Sequence, residues 1–491
     1  MLRSPFALTC ALALSVPAAA QWPQFLGPSG RAAVDQSRVP LPFDLEKHRA
    51  FRVEVPAGHS SPVIAGERLF LTGSEDRELV MLCLDRRDGK TLWKQSVTAR
   101  ADEQYGHRAS ALAMPSACTD GKRVFFSFGA YGLLALDVET GKTLWEKQLP
   151  LAKHDFGTGA SPMLVDDLVI LQRDGAPDSA IVAYAQADGA ERWRVERLGC
   201  ISSYATPYLW EHAGGRELVV AGTGLLTSLD PKTGAKIWEV NGLTMLVCTT
   251  PIGDAQQLYF AGWSSPGAIG AELLASAFGE DFAISSEEVK NPKLFFARLD
   301  ADKDGGVRPE DLPAGCRARD AFLAFDANKD GAWQENEFVP FLSRSQARGA
   351  NIAVAVKAGG KGDVTATHVA WRHEKGIPYV SSPLLYRERL WLVKAGGTLT
   401  TLDPATGVAK LDQARLPDRG EYYATPFGID GHVLIGATSG RAFLLKAADQ
   451  VEIVSELDFE DELLATPACV DGVLYVRTVN ALWAFRAGLR G

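Results

Sequence analysis

A ten-residue run constrains this chain more than anything else, because it returns. Leu84-Asp85-Arg86-Arg87-Asp88-Gly89-Lys90-Thr91-Leu92-Trp93 recurs as Leu136-Asp137-Val138-Glu139-Thr140-Gly141-Lys142-Thr143-Leu144-Trp145. It recurs again as Leu229-Asp230-Pro231-Lys232-Thr233-Gly234-Ala235-Lys236-Ile237-Trp238. Weaker copies span Tyr184 to Trp193, where Ala185 replaces the Asp, and Leu402 to Leu411, which lacks the Trp. Self-similarity of this kind signals a repeat architecture, in which each unit buries its apolar face only by stacking on a neighbour. Within the unit an apolar strand ends at Asp, a Thr-Gly or Asp-Gly turn reverses the chain, and the next strand carries a large aromatic.

A second series sets the period independently. Small polar residues precede proline at Ser61-Pro62, Ser161-Pro162, Thr206-Pro207, Thr250-Pro251, Ser382-Pro383, Thr425-Pro426 and Thr466-Pro467, and Met114-Pro115 fills the gap between the first two. The proline intervals are 53, 47, 45, 44, 132, 43 and 41 residues, so there are eight units and one of them carries an insertion. Units of roughly 40–45 residues are the size of a four-stranded propeller blade. The last unit supplies three strands, ending at Leu482-Trp483-Ala484-Phe485, and Phe51-Arg52-Val53-Glu54-Val55 lies before the first unit with no blade of its own. Pairing these two segments removes the open edge that invites aggregation. The expected fold is therefore all-β, an eight-bladed β-propeller of four-stranded antiparallel blades, with Phe51 in the usual Trp position. The repeated Trp residues are read as packing one blade onto the next, which requires no ligand.

Residues 1–20 stand apart. Arg3, an apolar stretch from Phe6 to Val16 and the small-residue end Pro17-Ala18-Ala19-Ala20 form a secretory leader cleaved near Ala20. Residues 21–50 follow as an N-terminal extension, and no later run is long enough to span a bilayer. The protein is accordingly expected to be extracytoplasmic, periplasmic or secreted, and monomeric. Beyond Cys10 there are six cysteines, Cys83, Cys118, Cys200, Cys248, Cys316 and Cys469, whose scatter allows fifteen pairings or simple burial as small hydrophobes. A net charge of −9 with no long basic run argues against a nucleic-acid partner.

The Asp-x-x-Thr-Gly-x-x-x-Trp pattern resembles the PQQ-like, quinoprotein-type β-propeller repeat, and Trp22-Pro23-Gln24-Phe25-Leu26-Gly27-Pro28 looks like the opening of secreted bacterial proteins of this group. The resemblance covers nearly all of the chain outside the insertion. It implies two very different relatives, the pyrroloquinoline-quinone alcohol dehydrogenases and an outer-membrane assembly lipoprotein whose propeller is a non-catalytic scaffold. The dehydrogenases hold PQQ between a Trp and a vicinal disulfide, with a Glu, an Asn and an Asp near a calcium ion. This sequence has no adjacent cysteines, so no catalytic residue carries over.

The repeat covers residues 51–267 and resumes over 346–491; between them, residues 268–345 turn helical and acidic, with 15 Asp plus Glu against 9 Lys plus Arg. Two twelve-residue loops of EF-hand type lie here. The second, Asp326 to Glu337, has oxygen ligands at positions 1, 3 and 5 (Asp326, Asn328, Asp330), Gly331 at the sharp turn, the Ala332 carbonyl at 7 and Glu337 for bidentate closure, with Gln334 acting directly or through water. The first, Asp300 to Asp311, offers Asp300, Asp302, Asp304 and the Gly306 carbonyl. It closes with the shorter Asp311 and places Arg308 beside the metal. Val307 and Trp333 occupy the matching eighth positions, where paired loops form a short β contact. Calcium is the expected cofactor, in a structural role.

Elsewhere, chemistry-bearing residues are sparse. The eight histidines show no His-x-His or His-Glu-x-x-His spacing. His59, His107, Tyr204 and Tyr423 fall shortly before inner strands, where they face one mouth of the channel or simply close turns at its rim. Two functions remain in view: an exported calcium-binding propeller that binds a protein or glycan at an end face without catalysis, and a PQQ-dependent alcohol or sugar dehydrogenase.

Overall fold

The computed structural model describes residues 21–100, 110–151, 156–175, 179–197, 200, 202–264, 285, 287–288, 291–314, 316–320, 322, 326, 328–339 and 350–488. The expected leader and its cleavage point, His107 and parts of the acidic insertion lie outside the described residues. Eight antiparallel sheets of at least four strands each account for the repeat. Blade 1 holds Val63–Ala65, Arg68–Glu75, Glu78–Asp85 and Thr91–Thr98, and the same inner-to-outer order is repeated up to blade 7, Phe427–Ile429 through Ile453–Asp458. Blade 8 takes Ala468–Val470, Val473–Arg477 and Ala481–Phe485 from the end of the chain and Arg49–Glu54 from its beginning. Closure is thus as expected, one strand-end earlier than Phe51.

Every blade has a register shift in its third-to-outer pairing, and in six of the eight a large aromatic sits at that bulge. Trp93 lies opposite Cys83, Trp145 opposite Ala135, Trp193 opposite Ala183, Trp371 opposite Ala355 and Phe51 opposite Ala484. The kink turns each indole toward the following blade. There Trp93 Nε1 donates to the Val138 carbonyl at 3.0 Å, Trp145 to Gln186 at 3.0 Å, Trp193 to Pro231 at 3.2 Å and Trp371 to Pro404 at 2.8 Å. The receiving turn is held by its Asp: Asp137 Oδ1 accepts from the Thr140 N–H and hydroxyl, both at 2.8 Å. Gly141 follows at φ +69°, and a Cβ there would come within 2.6 Å of the Trp93 ring. Glycine is needed twice over, for the left-handed backbone and for the ring face it leaves bare.

Gly141→Ala is accordingly expected to destabilise the ring by about 1–3 kcal/mol. Gly66→Ala, at φ +55° with open space around its Cβ, carries the backbone contribution alone. Urea unfolding of the two variants separates them, and equal losses would show that the indole contact is idle.

Blade 4 departs from the pattern. Trp238 Nε1 donates to Glu217 Oε2 at 2.6 Å within its own blade. The next blade has no Thr-Gly turn to receive it. Instead, Gly362–Asp363 pairs in parallel with the outer strand Lys236–Asn241 and covers Trp238.

The Ser/Thr-Pro series becomes a hydrogen-bonded annulus around the axis. The backbone N–H of Ser61 donates to Ser116 Oγ, Ser116 to Ser161, Ser161 to Thr206, Thr206 to Thr250, Thr250 to Ser382, Thr425 to Thr466, and Thr466 back to Ser61, at 2.8–3.2 Å. Ser381 Oγ, donating to the Ala424 carbonyl at 3.1 Å, spans blades 6 and 7. Blade 2 contributes Ser116 and not the expected Met114-Pro115. The hydroxyl makes the link, and the proline that usually follows it is dispensable.

Residues 21–37 run across one end of the channel. Trp22 pairs with Ile64 of blade 1, the Pro23 carbonyl accepts from Thr119 of blade 2, Gln24 Oε1 accepts from Leu164 of blade 3, and Ala33–Val34 lies parallel to Gly428–Ile429 of blade 7. Asp35 Oδ1 accepts from Tyr386 of blade 6 at 2.7 Å. The insertion leaves blade 5 between Gln257–Gly262 and Ile352–Lys357, which pair directly. Asn351 clasps Ser264 in both directions, at 2.7 and 3.1 Å, so the two ends of the insertion meet. Its described helices are Pro292–Leu299 and Arg317–Asp320. Phe295, Phe296, Leu299, Val307, Phe322, Trp333 and Phe338 belong to a buried cluster drawn from the insertion alone. Cys83, Cys118, Cys248, Cys316 and Cys469 are free thiols, all of them buried except Cys248.

Candidate functional site

Both acidic loops adopt the same backbone course. Lys303 and Lys329 at the fourth positions have φ +60° and +58°, and Gly305 and Gly331 at the sixth have φ +94° and +88°. These left-handed residues fold the chain back so that alternate side chains converge. Asp300, Asp302 and Asp304 each bring a carboxylate oxygen within 4.8 Å of the others. Asp300 is buried, and its Oδ1 has no hydrogen-bond partner, a vacancy in the protein's own donor set that a cation would fill. In the second loop Asp326 accepts from Gly331 N at 3.0 Å and Asp330 N at 3.2 Å. Asn328 and Asp330 meet through Nδ2 and Oδ2 at 2.9 Å. Ala332, whose carbonyl fills the seventh position, is tied to Asp330 Oδ1 by its N–H at 2.9 Å.

The closing residues differ as one methylene predicts. Glu337 reaches both Gln334 N, at 2.9 Å, and Asn328 N, at 3.2 Å, and so spans the loop. Asp311 accepts from Arg308 N at 2.6 Å, the equivalent of the Gln334 contact alone. Arg308 also pairs with Asp304, whose carboxyl is held below the usual range by the Gly306 N–H and by that guanidinium. Gly306–Val307 and Trp333–Gln334 join the loops as a two-stranded ribbon, Val307 opposite Trp333.

The second place of interest is on the axis. A cavity of about 180 Å3 is lined by all eight annulus hydroxyls, Ser61, Ser116, Ser161, Thr206, Thr250, Ser382, Thr425 and Thr466. Phe25 of the N-terminal segment is in its floor and also borders a second cavity beneath, so that segment closes the channel at this end. Phe156, Tyr204, Tyr379 and Tyr423 form the wall nearer the mouth. His59, Tyr204 and Tyr423 are thus brought together as channel-facing groups. Trp263, at the root of the insertion, packs edge-on against Tyr379 with centroids 5.5 Å apart. Burial pushes the Cys248 thiol up to about 12, which leaves it protonated and unreactive.

Sequence reasoning missed Arg477, which lies just behind this cavity and is fully buried. Its Nη1 donates to the Ser60 carbonyl and hydroxyl and Nη2 to the Pro56 carbonyl at 3.0 Å, while Nε has no partner. Burial pushes its guanidinium down to about 9, against a weaker pull from Asp461. An Arg inside an apolar strand was the available signal. Burial likewise lowers His59 from 6.5 to about 4, with Arg477 adding repulsion. Because the folded value lies below the unfolded one, the contribution is complete above pH 6.5 and is lost as pH falls through 4. The full shift corresponds to about 3 kcal/mol. Since the ring borders an open cavity, about 1–2 kcal/mol is expected. Denaturation midpoints from pH 7 to 4 should fall less steeply in His59→Asn; identical slopes would remove His59 as the cause.

The residues around this cavity do not fit PQQ with calcium. No carboxylate, Asn, Trp or adjacent cysteine pair is among its described lining residues.

A family model described as outer membrane protein assembly factor BamB matches residues 29–196 and 177–263. Quinoprotein alcohol dehydrogenase PedH of Pseudomonas putida is 29% identical over 137 residues, 27% of this chain, and the match spans only 22% of that relative's length. Among solved structures, BamB from Moraxella catarrhalis superposes with a TM-score of 0.54 at 13% identity, covering 89% of this chain and 99% of that one. A europium-containing methanol dehydrogenase superposes with a TM-score of 0.54 at 10% identity, covering 95% and 98%. Identities this low speak for the fold alone.

Proposed function

This chain is a PQQ-like-repeat β-propeller similar to the assembly factor BamB, and from that premise we propose that it is an exported, non-catalytic binding protein whose insertion is stapled by calcium. One observation carries the calcium reading: two loops with matching left-handed residues, joined by a two-stranded ribbon, with a buried Asp300 oxygen of the first loop left unpartnered beside Asp302 and Asp304. Asp326, Asn328, Asp330, the Ala332 carbonyl, Gln334 and Glu337 would hold the tighter ion. Asp300, Asp302, Asp304, the Gly306 carbonyl and Asp311 would hold the weaker one, because Arg308 competes for Asp304. Each calcium would cross-link the ligands of its own loop and supply no redox chemistry. Sites of this kind outside cells bind at roughly 10⁻⁴ to 10⁻³ M. The partner is a protein or glycan on an end face of the ring, where rigid blades present adjacent loops.

Calorimetric titration of calcium tests the staple. Glu337→Gln should weaken the tighter site at least tenfold and leave propeller unfolding unchanged. An unaltered isotherm would remove the assignment of that loop, and collapse of the whole chain would deny the insertion its independence.

The dehydrogenase alternative rests on the similarity to PedH. PQQ titrated into the protein with calcium present is expected to give no saturable heat. One-to-one binding at micromolar affinity would reverse the choice and call for an alcohol and sugar screen.

A further inference from the structure

The annulus has an electrical polarity that its role in closing the ring does not require. Seven of its eight hydroxyl oxygens accept a neighbouring backbone N–H. None of the eight donates its own proton to a protein acceptor among the described residues, and all eight line the cavity. Buried hydroxyl donors need acceptors, and here the cavity's contents must supply them. The surroundings carry the same sign. The described lining residues include no Asp or Glu, burial keeps His59 neutral, and Arg477 lies behind Ser60 with carbonyl and hydroxyl partners and no ion pair. Donors on the wall and a cation behind it, in a low-dielectric pit, focus a positive potential there. Nearer the mouth, the wall is aromatic.

We propose that the axial cavity binds a small aromatic carboxylate, its carboxylate turned to the hydroxyl annulus and its ring among Phe156, Tyr204, Tyr379 and Tyr423. An acceptor-only head group suits a wall that has already spent lone pairs on backbone N–H groups, which a sugar, bringing donors of its own, does not. Size agrees: the cavity measures about 180 Å3, and an apolar cavity of about 150 Å3 is enough to take up benzene. Neutral phenols around the ring add edge and hydroxyl contacts, for burial also pushes Tyr379 upward. The inference goes beyond the scaffold reading and does not depend on calcium in the insertion.

Benzoate is the probe, titrated calorimetrically into the full chain beside its uncharged analogues benzamide and benzyl alcohol. Saturable one-to-one binding of benzoate is expected, with both analogues at least tenfold weaker. Thr425→Val removes a donor to which no annulus N–H is bonded and should weaken benzoate at least threefold, with the melting temperature confirming the fold. Absence of saturable binding overturns the proposal, and so does benzamide binding as tightly as benzoate. Because all of these readouts use the axial cavity, they are unaffected by Glu337→Gln, which tests the insertion alone.

Discussion

A chain starting at Val55 is expected not to form a closed ring. It would lack Arg49–Glu54, the outer strand of blade 8, whose partners are Ala481–Phe485. It would also lack Trp22, Leu26, Val39 and Phe43, which share one buried cluster with Phe427, Leu474 and Phe485. Phe43 packs tilted against Phe485, with ring centroids 5.0 Å apart. Burying each such side chain contributes about 1.5–3 kcal/mol. Four of them therefore approach the total stability of an ordinary domain, about 5–15 kcal/mol. The loss also exposes Ala481–Phe485 as an apolar edge strand, which pairs readily with other chains. Size-exclusion chromatography and circular dichroism would report an aggregated protein with no cooperative melt. A monomer melting at the full-length temperature would show that blade 8 holds with three strands.

The second large effect belongs to the insertion. Trp333→Ala should unfold it while the propeller persists. The indole is fully buried and lies between Phe322 and Phe338, at 4.5 and 4.8 Å and nearly parallel to both. Its Nε1 donates to the Phe322 carbonyl at 2.7 Å. Truncating a buried Trp costs about 3–5 kcal/mol, more than a core this small can lose and remain folded. Trp333 also stands opposite Val307 in the ribbon between the loops, so both proposed calcium sites would go with it. Differential scanning calorimetry should lose one transition and keep the other, and the calcium isotherm should flatten. Retention of both transitions would mean that the aromatic stack is not what holds the insertion.

The ring was legible because its contacts repeat. Asp137 and Gly141 recur at fixed spacing because the blades that receive an indole offer it the same turn, and Phe51 could be assigned from the strand it completes. Irregular contacts left no such trace. Trp22 and Gln24 meet the innermost strands of different blades through contacts of different kinds, one a backbone pairing and the other a side-chain acceptor, so residues 21–37 read as an extension and not as the closure of the channel. Trp238 matches the repeat perfectly in sequence yet docks on Glu217, because what it lacks lies in the next blade. In the insertion, ligand spacing identified the loops and predicted the Val307 to Trp333 contact. The axial cavity was half visible: His59, Tyr204 and Tyr423 were placed by their position before inner strands. Its hydroxyl donors had been counted only as markers of period, and Arg477, on a strand that reads as core, was not suspected.

Blade 8 fixes an order of events as well as a shape. Arg49–Glu54 is made more than 400 residues before its partner Ala481–Phe485. At translation rates of about 5–20 residues per second, the early strand waits roughly tens of seconds with its edge unsatisfied. Nascent chains of this protein therefore carry an open seam until Ala481–Phe485 is made, and any factor that shields apolar edge strands has its longest opportunity at residues 49–54.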